Sequence, residues 1–295
     1  MTVNEFYKQK FGRKVYKISL DAGCTCPNRD GTKSYSGCIF CGQNGSGDFI
    51  PFQENIRLQV ENAKKIVEKK IKNGKYIAYF QNFTNTYGDI EILYKKWNQA
   101  LSCEDIAGIA IGTRPDCIDS KVLEKLSILS EKTFVQLELG LQTSSDKTGF
   151  LINRQFFSSE YLKAVSILKK NVPRVHVVTH IIFGLPFEDE KQMLSSVKFA
   201  IDAKTDGIKI ASLYVLKNTV LEKMYLEKKF SLLSREKYFS IVEKALKIIP
   251  ENVVIHRLTG DGPKSQTVAP LWIFDKKQNL SIINEILKIN NLLTN

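Results

Sequence analysis

The chain has 295 residues, of which 43% are hydrophobic and 25% charged, values that are ordinary for a globular protein with one large or two smaller α/β domains. No apolar run approaches the roughly 20 residues that span a bilayer, which argues against a membrane protein. The formal net charge of +12 fits either a polyanion-binding surface or a merely lysine-rich exterior, and charge alone leaves both interpretations open.

The N-terminal segment, residues 1–17, is polar and lacks the apolar stretch of a secretory signal peptide. We therefore expect a cytoplasmic protein with no membrane association. In a reducing compartment, its six cysteines are expected to serve metal or redox chemistry more often than disulfides.

Short runs rich in Val, Ile, Tyr and Phe alternate with amphipathic segments along most of the chain. The runs predict strands at 14–20, 75–81, 106–113, 133–140, 174–184 and 206–216. Apolar residues recur at helical spacing in 53–72, 89–101, 119–130, 158–171 and 188–204. Six βα units in series predict either a parallel barrel or a doubly wound sheet.

After residue 216 this alternation weakens. We expect a helix over 234–248, a short strand in VVIHR, a Gly-rich turn and a last helix from about 278. The sequence therefore predicts a core domain over 1–216 and an α/β extension over 217–295 that packs on it.

Polar residues or glycine turns follow the predicted strands. In parallel α/β folds the functional site lies where the strands end, so this predicts a polar rim around a site. His180 lies on the fifth strand, as a candidate acid or base or as an ordinary core histidine, while Arg114 is a candidate structural partner of Glu138 or Asp116.

Three cysteines lie in the glycine-rich loop 24–47, after the first strand. Cys26, Cys38 and Cys41 have the spacing C-x11-C-x2-C, one ligand short of a closed tetrahedral site. An iron–sulfur cluster held by three thiolates would keep one iron open for another ligand. Cys24 supplies an alternative, since four cysteines could close a structural zinc site. Spacing alone leaves both possibilities open.

The chain resembles the radical S-adenosylmethionine (SAM) superfamily, and specifically the YhcC/YtqA (MnmL) subfamily, which is related to the elongator catalytic subunit. The resemblance runs in order through nearly the whole chain. It is carried by CPNRDG (26–31), GCIFC (37–41), YFQ-x-x-T-x-T (79–86), GTRPD (112–116), ELGLQT (138–143), NR (153–154), GLP (184–186), DGIK (206–209), HR (256–257) and APLW (269–272).

The resemblance implies a partial (β/α)6 parallel barrel of the α/β class and assigns roles to single residues. Cys26, Cys38 and Cys41 would ligate a [4Fe-4S] cluster, with Cys24 a bystander. Phe40 would lie near the adenine of SAM. Gln142 and Arg154 match residues that contact the methionine group in the related oxygen-independent coproporphyrinogen oxidase. Further candidates to reach SAM hydroxyl or amino groups are Gln81, Thr84 and Glu138.

The subfamily further implies hydrogen abstraction from tRNA, converting a carboxymethylaminomethyl group on the wobble uridine to aminomethyl. An electron donor such as flavodoxin or ferredoxin would be needed, and His256 and Arg257 are candidate substrate contacts. Relatives show NRGH and LHVLKG where this chain has NRQF (153–156) and LYVLKN (213–218). Because these departures lie near the expected substrate side, a metabolite or peptide substrate stays open, as does a non-catalytic zinc-stabilised RNA-binding protein.

Overall fold

The protein is seen here as a computed structural model, which describes residues 1–43, 45, 54–68, 74–290 and 292. The helices are α1 Val3–Phe11, α2 Ile56–Glu68, α3 Ile90–Leu101, α4 Ser120–Lys132, α5 Asp146–Leu151, α6 Ser158–Asn171, α7 Glu190–Asp202, α8 Val220–Leu226, α9 Arg235–Ile248 and α10 Lys276–Ile289. The strands are β1 Val15–Leu20, β2 Lys75–Phe80, β3 Ile106–Thr113, β4 Phe134–Gln142, β5 His176–Phe183, β6 Gly207–Ser212, β7 Val215–Leu216, β8 Val254–Arg257 and β9 Thr267–Ala269. Parts of the predicted cysteine loop (24–47) and first helix (53–72) lie outside the described residues.

Seven parallel strands form one sheet in the order β1-β2-β3-β4-β5-β6-β8. The helices cover its outer face, where apolar residues such as Trp97 of α3 and Tyr161 of α6 are completely buried. Strands covered on both faces need nearly continuous apolar sequence, as predicted. The partial parallel barrel of the α/β class is thereby confirmed. Within the described ranges, no helix is both long and apolar enough to cross a membrane.

The C-terminal part of the chain contributes to this barrel. Strand β8, which the sequence places in the extension, pairs in parallel with β6 as the seventh strand. The barrel thus draws a strand from beyond the expected boundary at residue 216.

The predicted strand 206–216 is interrupted, which corrects the sequence-based expectation. Leu213 N still donates to Phe183 O at 2.9 Å, but β5 ends at Phe183 and offers no further partner. The chain therefore turns away, and Val215–Leu216 pairs with β9 in an antiparallel ribbon.

Helix α1 covers the N-terminal end of the barrel and was not predicted. Thr2 and Glu5 form a capping box at its start, a pattern that is visible in the sequence. Tyr7 is buried against the first residues of β1 and β4, and Phe6 stacks on His176 with ring centroids 4.7 Å apart. Because α1 covers this end of the barrel, the site must be sought at the opposite end.

Candidate functional site

A cavity of about 290 Å³ opens at the C-terminal ends of the barrel strands. Its wall includes eight of the residues proposed from sequence: Cys26, Cys38, Phe40, Cys41, Gln81, Thr84, Glu138 and Gln142. Cysteine loop, strand ends and barrel interior therefore face one space. Arg154, the one other residue that the resemblance assigned to the cluster or to SAM, does not line this cavity.

The cysteine loop is held in place by polar side chains that reach its backbone. Arg29 donates to the carbonyls of Cys41 at 3.0 Å and Gly42 at 2.6 Å. The buried Asn28 donates to Asn153 O at 2.6 Å and approaches Cys38 Sγ at 3.5 Å. Asn153 in turn donates to Gly37 O at 2.7 Å. The loop after α5 thus holds the described part of the cysteine loop at Asn28 and Gly37.

The three thiols are electrostatically coupled in a cationic setting. A hydrogen bond from Cys41 lowers the pKa of Cys38 to about 7, although burial alone would raise it. The charges of Arg114 and Arg29 and a hydrogen bond from Asn28 lower this pKa further. The same contact, together with burial and the nearby Cys26, holds the pKa of Cys41 well above its usual range. Three convergent thiols next to guanidinium groups are a donor set that fits an iron–sulfur cluster bound as thiolates.

Cys24 is separate from this set. It packs against the main hydrophobic core and does not line the cavity, and burial followed by the charge of Asp21 raises its pKa to about 12. Moreover, no three His, Cys, Asp or Glu side chains of the described ranges are grouped so as to hold a single metal ion. The arrangement does not support the four-cysteine zinc site.

Gln142 reaches the cavity because β4 is irregular at its end. Gly140 pairs with His180 and Gln142 with Ile181, so Leu141 is an extra residue, and Gln142 has a φ of +61°. Bulges and left-handed non-glycine residues are concentrated at functional sites, where they redirect side chains.

Arg154 supports this irregular backbone and does not reach the cavity. Its completely buried guanidinium donates to Leu141 O at 2.7 Å and Thr143 O at 2.5 Å, the two neighbours of Gln142. It also contacts Asp146 at 3.1 Å and stacks on Phe156. These bonds hold the backbone on both sides of Gln142, whereas the family resemblance implies direct contact with SAM.

Glu138 is the centre of a hydrogen-bonded network inside the barrel. Its carboxylate is fully buried and accepts from Tyr79 at 2.7 Å, Lys209 at 3.0 Å, Lys17 and His180. Burial alone would raise the pKa of Glu138, but the charges of Lys17 and Lys209, together with the hydrogen bond from His180, keep it well below its usual range. The carboxylate oxygens are already engaged, so Glu138 organises its neighbours.

Three basic residues follow one another around the far wall of the cavity. His180 of β5 is in register with Lys209 of β6, which is in register with Arg257 of β8. Burial, followed by the charge of Lys209, lowers the pKa of His180 to about 4, so this imidazole is neutral at pH 7. The order of neighbouring strands thus places the cations Lys209 and Arg257 side by side in the cavity wall.

Lys17, Tyr79 and Lys209 were missed as site residues by sequence reasoning. A signal existed, because Lys17 and Lys209 interrupt otherwise apolar strands, where a charged side chain needs a buried partner. For Arg114, in contrast, the sequence suggested a structural pairing with Asp116 as one possibility, and the structure shows that pairing. The guanidinium of Arg114 donates two hydrogen bonds to the carboxylate of Asp116, each 2.9 Å long.

Comparisons with known proteins agree with this geometry. Residues 25–200 match the radical SAM superfamily and residues 205–288 match the radical SAM C-terminal domain. YtqA of Bacillus subtilis is 42% identical over 97% of this chain and 89% of its own length. YhcC of Escherichia coli is 31% identical over 90% and 84%. These relatives confirm the resemblance read from the motifs.

More distant similarities point in the same direction. A tRNA-2-methylthio-N(6)-dimethylallyladenosine synthase of Thermoanaerobacter is 25% identical over 58% of this chain and 36% of its own length. The solved structure of Elp3 from Methanocaldococcus infernus superimposes with a TM-score of 0.69 at 17% identity, covering 95% of this chain and 64% of that one. The latter likeness concerns the fold alone. By the superfamily match, which spans more than half of its length, and by its similarity to YtqA, the chain belongs to the radical SAM superfamily, whose enzymes use a [4Fe-4S] cluster and SAM.

Proposed function

We propose that the protein modifies tRNA, converting the carboxymethylaminomethyl side chain of a wobble uridine to aminomethyl. The observation that carries the proposal is a cavity whose wall includes both the three cysteines and polar side chains of the barrel interior. A reactive site of this kind needs space for SAM beside the cysteines and a second space for a small, polar part of the substrate.

Different residues of the chain would hold the cluster and bind SAM. Cys26, Cys38 and Cys41 would hold the cluster, while Phe40, Gln81, Thr84 and Gln142 would bind and orient SAM. When bound, the cluster supplies the electron that cleaves SAM to methionine and a 5′-deoxyadenosyl radical. The barrel wall keeps water away from the reacting atoms, and Arg154 and Glu138 hold their neighbours in fixed positions.

Several observations support tRNA as the macromolecular substrate. The net charge of +12 favours association with a polyanion, and one group of more distant relatives carries a tRNA-modifying name. We place the enzyme in the cytoplasm, where tRNA and a small electron donor such as flavodoxin or ferredoxin are present.

The test is a single-turnover reaction with the reconstituted enzyme under anaerobic conditions. Enzyme, SAM, a chemical reductant and tRNA bearing the carboxymethylaminomethyl group are mixed, and nucleosides are analysed by mass spectrometry. The expected products are aminomethyl-uridine, 5′-deoxyadenosine, methionine and glyoxylate. Glyoxylate is the released two-carbon fragment: hydrogen abstraction beside the carboxylate, followed by loss of one electron that offsets the electron used to cleave SAM, would give an imine that water hydrolyses.

A Cys38→Ala variant serves as the control, because it removes one of the three thiols and should give neither product. If the wild-type enzyme forms 5′-deoxyadenosine while the tRNA nucleosides stay unchanged, the enzyme is a radical SAM protein with another substrate.

A further inference from the structure

The barrel interior carries more positive than negative charge. Lys17, Lys209 and Arg257 face the two carboxylates of Glu138 and Asp261, which are the only acidic side chains among the described residues of the cavity wall. His180 is neutral at pH 7. Lys17 and Lys209 share the one carboxylate of Glu138, while Arg257 contacts Asp261, so three cations face two anions.

Arg257 is the cation best placed to bind a ligand. Its contact with Asp261, 2.6 Å long, joins two side chains that are 35% and 42% exposed, and such pairs are weak. By contrast, Lys17 and Lys209 are only 23% and 15% exposed and are committed to Glu138, whose carboxylate is fully buried. A ligand anion could therefore compete for Arg257 far more easily than for either lysine.

The backbone directs Arg257 into the cavity. Ile255 pairs with Ile208 and Arg257 with Lys209, so His256 is an extra residue in β8. This bulge sets the guanidinium of Arg257 beside the ammonium of Lys209 on the cavity wall. The planar guanidinium suits a carboxylate, with which it forms two parallel hydrogen bonds.

We propose that Arg257, with Lys209 beside it, binds the carboxylate of the substrate side chain and so selects a carboxylate-bearing substrate. This inference rests on the proposed function in one respect, namely that a nucleoside side chain enters the cavity. It assigns the cationic wall of β6 and β8 to the substrate and leaves the cysteine side of the cavity to SAM.

The experiment measures binding without turnover. An anticodon stem-loop RNA carries the carboxymethylaminomethyl group at the wobble uridine, and a matched RNA carries the same group as its uncharged carboxamide. Dissociation constants for the anaerobic holoenzyme are measured by fluorescence anisotropy without reductant. We expect the wild-type protein to bind the carboxylate RNA about tenfold more tightly than the carboxamide RNA, as a charge-assisted pair implies.

Arg257→Gln should abolish this preference and bind both RNAs as the wild type binds the carboxamide. Arg257→Lys, which keeps the charge, should retain part of the preference. Arg174→Gln is the matched control, since this exposed residue lies before β5 at the opposite end of the barrel. It should keep the full preference.

A wild-type protein that binds both RNAs equally, or an Arg257→Gln variant that keeps the preference, would overturn the inference. Product formation is read separately by mass spectrometry. If the wild-type protein prefers the carboxylate RNA but forms no aminomethyl product, the proposed reaction is wrong and the carboxylate-binding site is still supported.

Discussion

At the scale of single residues, the site depends on one buried carboxylate that two lysines hold. Glu138 has no exposed surface, while Lys17 and Lys209 are 23% and 15% exposed. Buried ion pairs of this kind add little net stability, but removing one member leaves an uncompensated charge. Glu138 is therefore expected to be the most sensitive position of the barrel interior.

Glu138→Gln should lower the free energy of unfolding by about 3 kcal/mol, because two lysine charges lose their buried counterion. Urea unfolding of the cluster-free protein measures this loss. The double variant Glu138→Gln/Lys17→Met should lose less than the sum of the two single variants, since it removes a cation with the anion. Additive losses would show that Lys17 and Glu138 do not stabilise each other.

Glu138 should also determine how the stability of the protein changes in acid. The folded-state pKa of Glu138 is well below its usual value, because the cationic neighbours outweigh burial. Its stabilising contribution is therefore complete above the unfolded-state pKa and is lost as the pH falls toward the folded-state pKa. Glu138→Gln should accordingly show a shallower loss of stability below about pH 4.5 than the wild type.

The cysteines provide a third prediction at this scale. Cys24→Ser should leave iron loading unchanged at about four atoms per chain, because Cys24 packs against the core away from the cavity. Cys26→Ser should lose most of the iron. Iron and sulfide analysis after anaerobic reconstitution, together with visible absorbance, distinguishes the two variants. Equal losses of iron in the two variants would indicate that Cys24 is a ligand as well.

At the scale of elements, the site is made by departures from regular strands. The bulge in β4 turns Gln142 into the cavity, and the bulge in β8 does the same for Arg257. Residue types predicted the strands well, since Val, Ile and aromatic runs mark buried parallel strands. They did not predict the bulges, because Gln142 is not a residue type that signals a positive φ.

Arg154 shows that a sequence motif can identify a residue without showing where its side chain points. The resemblance to the family pointed to both Gln142 and Arg154, but the side-chain direction depends on a turn in which Asn153 and Gln155 also have positive φ values. That turn directs the guanidinium to the carbonyls beside Gln142. Only the three-dimensional arrangement could distinguish a support from a ligand contact.

The β4 bulge yields a prediction about SAM binding. A methyl group at Gly140 would collide with the side-chain amide of Gln142, so Gly140→Ala must displace that amide. Because that amide ends a flexible side chain, we expect little change in stability but several-fold weaker SAM binding by the holoenzyme, measured by isothermal titration. Adding Gly140→Ala to Gln142→Ala should have no further effect. An additional loss in the double variant would mean that Gly140 acts independently of Gln142.

At the scale of the whole molecule, a single sheet unites the two parts that the sequence predicted. The regular βα alternation of the first 216 residues predicted six of the seven barrel strands, because each repeats the same local pattern. The seventh, β8, is only four residues long, and its pairing with β6 is a long-range event with no local signal. The sequence predicted a short strand in VVIHR and Arg257 as a candidate substrate contact, but not that this strand joins the barrel beside β6 and places Arg257 next to Lys209.

The excess positive charge leads to a prediction for the whole protein. If its lysines and arginines contact the phosphates of tRNA, counterion release should make binding steeply dependent on salt. We expect the dissociation constant for tRNA to rise at least tenfold between about 50 and 200 mM KCl. The carboxylate-over-carboxamide preference should decline far less, since Arg257 lies within the cavity wall. Filter binding and anisotropy across a salt series measure both quantities, and a tRNA affinity that is indifferent to salt would contradict phosphate contact as the basis of recognition.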